Sequence, residues 1–147
     1  MLHQPETLHP APGMTYDQVL ETVRYEGAYP TRERAEEAVH NVLGAFGRHV
    51  TGNERVELAA RLPLEAARHL VSQVPAAEPL TGWAFVKDLA SRRGATPATT
   101  RWETGAVLAV VARLAGPSLL ARILDQFPEG WALLFGQAQL LTRSTAA

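Results

Sequence analysis

Thr31-Arg32-Glu33-Arg34-Ala35-Glu36-Glu37-Ala38-Val39-His40-Asn41-Val42-Leu43-Gly44-Ala45-Phe46-Gly47-Arg48-His49-Val50 repeats its apolar residues at a helical interval. Ala35, Ala38, Val39, Val42, Leu43, Phe46 and Val50 recur every three or four positions. That spacing places them along one face of an α-helix, where they can enter a core. Thr31 is suited to the N-cap, since its hydroxyl can accept from a first-turn N–H, and Glu33 complements the positive end of the helix. No stretch of the chain alternates apolar and polar residues over a useful length, so no sheet is predicted.

The same pattern extends in both directions. Thr15-Tyr16-Asp17-Gln18 reads as a capping box, and Tyr16, Val19, Leu20 and Val23 form the stripe of a first helix that Gly27 ends. Residues 1–13, with three prolines and no periodicity, read as a flexible tail. After Thr51-Gly52, Asn53 is expected to cap a third helix carrying Val56, Leu58, Ala59 and Leu62. Pro63 opens a fourth that buries Leu64, Ala67, Leu70 and Val71. Residues 75–80 break the pattern. A fifth helix then carries Trp83, Val86, Leu89 and Ala90 and ends at Gly94. Thr96-Pro97 opens a sixth, with Ala106, Ala109, Val110 and Leu114 on one face, until Gly116-Pro117. Leu120, Ile123, Leu124 and Phe127 mark a seventh, and Pro128 starts an eighth through Trp131, Leu134 and Phe135.

The second series repeats the first. Gly27-Ala28-Tyr29-Pro30 matches Gly94-Ala95-Thr96-Pro97 at a displacement of 67, and Tyr16 falls on Trp83. At a displacement of 65, Val42-Leu43 falls on Val107-Leu108, Leu58 on Ile123, and Leu62-Pro63 on Phe127-Pro128. A unit this long is a small bundle rather than a solenoid turn of about 20–50 residues. The reading is all-α: about eight helices in two pseudo-repeated helical bundles packed together. The first half spans 14–74 and the second 81–141, within one compact domain overall.

Tyr16 through Val23, Ala35 through Phe46, and above all Glu54-Arg55-Val56-Glu57-Leu58-Ala59-Ala60-Arg61-Leu62-Pro63 carry a likeness to a known family. Over about residues 14–136 the chain resembles the bacterial helical proteins called domain of unknown function 2267. Phe127-Pro128 matches the family's apolar-Pro step, whereas Gly116-Pro117 departs from the charged helix start expected there. The resemblance implies a helical fold and a bacterial source, and it implies no activity.

The residue inventory excludes several chemistries. The 147 residues include no cysteine, which removes disulfides, thiolate metal sites and cysteine nucleophiles. A net charge of −1 gives no global pull toward nucleic acid or an anionic membrane. The N-terminus has neither a basic start nor an apolar run, and no stretch is expected to reach the ~18 apolar residues of a membrane span. The expectation is a cytoplasmic protein. Its serines lie in no nucleophile-elbow context, and its aspartates fit helix starts and exposed faces.

Three constellations remain. Glu37-Ala38-Val39-His40 is a single Glu-x-x-His step, where di-iron bundles need two, so His40 reads as a boundary histidine. The five histidines, His3, His9, His40, His49 and His69, show no metal-ligand spacing, and no metal or cofactor is expected. Arg92, Arg93, Arg101 and Trp102 surround the turn before a helix N-terminus, a place that can hold an anion, although no phosphate-loop pattern is present. They form the candidate interaction surface. Trp83 and Trp131 read as core, and Trp102 reads as either an exposed anchor or a residue packed between the halves. No catalytic set is visible, and the expected function is a non-enzymatic helical protein-interaction or regulatory module. One alternative is a nucleic-acid-binding protein using a helix-turn-helix-like pair at 53–73 with Arg55, Arg61 and Arg68. The other is a small-ligand sensor with a pocket between the halves. A protein partner is expected, nucleic acid and membrane are not, and homo-oligomerisation is left open.

Overall fold

A computed structural model of the chain describes residues 13–137. Nearly all of the expected tail, His3, His9 and the last residues of the second half lie outside that span. Among the described residues there are seven helices and no strand. They are α1 (Tyr16–Gly27), α2 (Arg32–Gly47), α3 (Gly52–Arg61), α4 (Leu64–Leu70), α5 (Gly82–Arg93), α6 (Pro97–Asp125) and α7 (Trp131–Leu134).

The helix starts follow local chemistry. Thr15 accepts from the Gln18 N–H while the Gln18 side chain accepts from the Thr15 N–H, completing the capping box of α1. Thr31, Thr81 and Thr96 cap α2, α5 and α6 through their hydroxyls, and Pro97 occupies the first turn of α6. Other boundaries differ from the sequence reading. The left-handed residue that closes α1 is Ala28, at φ 54°, rather than Gly27. Thr51, not Asn53, stands at the N-cap of α3, and α7 starts after Gly130 rather than at Pro128. The break expected at Gly116-Pro117 is present, since Gly116 leaves helical geometry at φ 79° and ψ 162° and kinks α6 between the expected sixth and seventh helices. Arg61 of α3 donates to the Ala115 carbonyl at that kink, satisfying a group the bend frees.

A single core cluster draws buried side chains from both halves. The α2 stripe from Ala35 through Val50 is buried throughout, as its periodicity predicts. In α6, Ala106, Val107, Leu108, Val110 and Val111 are all buried, so this helix is covered on several sides rather than on one face. It packs against α1, α2, α3, α5 and α7. Its most apolar 18-residue window has a mean hydropathy of 1.8, so by length and composition alone α6 is long and apolar enough to cross a bilayer, although it contains no run of 18 consecutive apolar residues. Within this fold it is the core helix.

Several predicted core residues face outward. Val56 is 69% exposed, Leu64 63%, Val71 48% and Trp83 56%. In α4 the burial falls on Ala66 and Leu70, because that face meets α2. In α5, Phe85 takes the buried place expected for Trp83 and packs against Trp131 at a centroid distance of 4.6 Å, with the rings tilted by 49°.

Candidate functional site

The anticipated surface divides when its side chains are placed. Arg92 turns back one helical turn to Asp88, at 2.9 Å, on the exposed side of α5. The Arg101 guanidinium reaches toward the Leu133 carbonyl at 3.5 Å. Only Arg93 and Trp102 come together, in a cleft of ≈ 350 Å³ where the α1–α2 turn meets α5 and α6. Tyr29, Arg34, Thr100 and Glu103 share its wall.

Trp102 is both exposed and tethered. Its residue is 58% exposed, yet Nε1 donates to the Gly27 carbonyl at 2.9 Å, across the junction of the halves. The indole's single polar atom is thereby held while much of its apolar surface faces solvent. Gly27 supports this geometry, since a Cβ there would fall 2.3 Å from the Tyr29 ring.

Behind the indole lies a buried carboxylate. Glu103 is 4% exposed and is held by Arg93 through a charge-assisted hydrogen bond, with the Arg34 guanidinium 3.7 Å away. Arg34 also pairs with Glu37 at 2.9 Å and lies over the Tyr29 ring, 5.0 Å from its centroid. Arg93 reaches Glu37 at 3.7 Å. Two cations thus face two anions, which leaves the cleft without a net charge to attract phosphate. Burial, then the charge of Glu103, pushes the Tyr29 phenol up to about 12. It stays a neutral donor at physiological pH, and its hydroxyl, like that of Thr100, is buried with no hydrogen-bond partner among the described residues.

Sequence reasoning missed Tyr29, Arg34 and Glu103. A signal for Glu103 was present, since it stands one helical turn before the apolar run Ala106-Val107-Leu108 of a core helix. A carboxylate at such a position requires a cation, and Arg93 supplies it from the preceding helix.

The remaining candidates are dispersed. Glu37 of the Glu-x-x-His step serves the two arginines rather than His40. His40 instead meets His69, with Nδ1 atoms 3.2 Å apart. His49 packs edge-on against Phe85 at 5.6 Å. No group of three histidine or carboxylate side chains able to hold a metal occurs among the described residues.

The curated proteins compared include no match to the chain. A model of a family described as uncharacterized conserved protein (DUF2267) matches residues 16–134. That match takes in every helix from α1 through α7, with both walls of the cleft, and the chain belongs to this family of uncharacterized conserved proteins.

Proposed function

We propose that the chain is a non-enzymatic helical interaction module of regulatory type, and that a protein partner seats on the cleft beside Trp102. The observation that carries this reading is the held, half-exposed indole next to a cavity of ≈ 350 Å³. Binding hot spots favour tryptophan, tyrosine and arginine beside pockets, and a pre-oriented ring loses little entropy on binding. Two related halves belong to the same proposal. The threonine caps at Thr15 and Thr31 support it, with counterparts at Thr81 and Thr96. A cytoplasmic setting is in keeping with a chain that has no cysteine.

The test is chemical crosslinking in the native host with wild-type protein and Trp102→Ala, after circular dichroism has shown that the variant is folded. The expected result is a defined crosslinked protein that Trp102→Ala loses. Equal crosslinking of that protein by the variant refutes the assignment.

A small-ligand reading uses the same cleft, whose volume lies at the lower end of the ~300–1,000 Å³ typical of ligand pockets. Chemical-shift changes at Tyr29 and Trp102 in a fragment titration would favour it over a protein partner. The nucleic-acid alternative has less support. Arg55 donates to the Gly47 and Val50 carbonyls and Arg61 to the Ala115 carbonyl, so two of its three cations serve as helix-end caps.

A further inference from the structure

His40 of α2 and His69 of α4 are brought together by the packing of these two helices. Their ring centroids lie 4.9 Å apart with the planes at 82°, and their Nδ1 atoms are 3.2 Å apart. On the far side of His69, Nε2 lies 3.3 Å from the Tyr16 hydroxyl. That hydroxyl also lies 3.3 Å from Glu36 Oε2.

The proton assignments follow from donor capacity. An ionised carboxylate only accepts, so the phenol directs its one proton to Glu36. The phenol oxygen must then accept from His69, which places that ring's proton on Nε2 and leaves a lone pair on Nδ1. His40 donates from its own Nδ1 to that lone pair. A carboxylate and a hydroxyl therefore fix the tautomer of His69 from behind, the arrangement that orients metal-binding histidines.

The spacing in front fits the same chemistry. With Zn–N bonds of ~2.0–2.1 Å at a tetrahedral angle, two ligand nitrogens stand about 3.3–3.4 Å apart. The observed Nδ1 separation is 3.2 Å.

We infer that His40 and His69 form a two-histidine site for a divalent transition-metal ion of the zinc type, joining α2 to α4, with Tyr16 and Glu36 as positioning residues behind His69. Neutral imidazole nitrogens suit zinc, copper and nickel rather than magnesium or calcium. On binding, His40 transfers its ring proton from Nδ1 to Nε2. Because His40 is exposed, water carries that exchange without a change in net charge. Glu37, one turn before His40, is held by Arg34 and Arg93 and does not join. Water completes the coordination, so the site is open and exchangeable. This inference is independent of the cleft beside Trp102.

The test is calorimetric titration of the full chain with Zn²⁺ near neutral pH, alongside His40→Ala, Tyr16→Phe and His49→Ala. His40→Ala is expected to take up one equivalent fewer than wild type, and His49→Ala the same number as wild type. Tyr16→Phe is expected to bind about 10–100-fold more weakly, the usual effect of removing an outer-shell group. Long-range ¹H–¹⁵N spectra should show His69 protonated at Nε2 before metal is added, and the Nδ1 signals of His40 and His69 should move on titration. Wild type and His40→Ala titrating alike overturns the site. Undiminished affinity in Tyr16→Phe overturns the positioning role.

Discussion

Truncating Phe46 to alanine removes a ring that is fully buried and surrounded by aromatic residues of the other half. Its centroid lies 5.8 Å from Phe127, 5.9 Å from Trp131 and 5.6 Å from Phe135. Phenylalanine truncation in a core costs ~3–5 kcal/mol from lost transfer energy and the remaining cavity. Each lost aromatic pair can add about 0.5–1.5 kcal/mol. A cost near ~5 kcal/mol is therefore expected, a large part of the ~5–15 kcal/mol a domain possesses. With a urea dependence of about 2 kcal/mol per molar, the midpoint should fall by about 2.5 M. The assay is urea unfolding followed both by far-UV circular dichroism and by tryptophan fluorescence. Trp131 is buried beside the deleted ring and belongs to the unmutated half. Both signals should shift together in one transition, since the two halves contribute to one core cluster. A loss below about 2 kcal/mol would refute the reasoning. So would a fluorescence midpoint that stays in place while the helical signal moves.

Gly47→Ala should destabilise by ~3 kcal/mol, the upper part of the overpacking range, because the new Cβ would meet the Leu70 carbonyl oxygen at 1.7 Å and force α2 and α4 apart; thermal melts check this. Thr15→Ala should cost about 1 kcal/mol through loss of the α1 capping box, and an unchanged melting point would contradict it. Stability should fall as pH drops from about 7.5 to about 5.5. Burial holds His49 and His69 below 6.5, aided by the Arg48 and Arg92 charges at His49 and by His40 at His69, against the opposing pull of Asp88 and Glu36. The unfolded chain therefore takes up protons first, and this part of the stability is complete above about 6.5 and lost toward the folded-state values. Urea midpoints across that range should decline in wild type and flatten in a His49→Gln, His69→Gln double variant. Random duplex DNA should show no salt-sensitive gel shift near physiological salt, given a net charge of −1 and the engagement of Arg55 and Arg61.

Local chemistry was readable where one residue acts on its own turn. The capping box at Thr15, the hydroxyl caps at Thr31 and Thr96, and the left-handed Gly94 are all formed, and the whole α2 stripe is buried. Readability failed where a partner element chooses the face. The seven residues of α4 contain apolar side chains on more than one side, and α2 covers Ala66 and Leu70 while Leu64 stays in solvent. In α5, periodicity treated Trp83 as part of the stripe, whereas Trp131 packs against Phe85. The candidate site was half visible. The turn carrying Arg93 and Trp102 was identified, but Tyr29 and Arg34 arrive from the other half. The meeting of His40 with His69 left no spacing to read, because the helices that present them are not consecutive.

The apolar character of α6 bears on the order in which the chain is made. A segment of mean hydropathy 1.8 is a client for chaperones or an aggregation seed while it is bare. Synthesis proceeds from the N-terminus, at about 5–20 residues per second. Among the described residues, α1, α2, α3 and α5 precede α6 in the chain and α7 alone of its covering helices follows. When α6 leaves the ribosome, most of its shelter has therefore already emerged. A rearranged gene that delivered α6 first would encode the same final contacts and yet leave the nascent rod unsheltered until the rest of the chain was made.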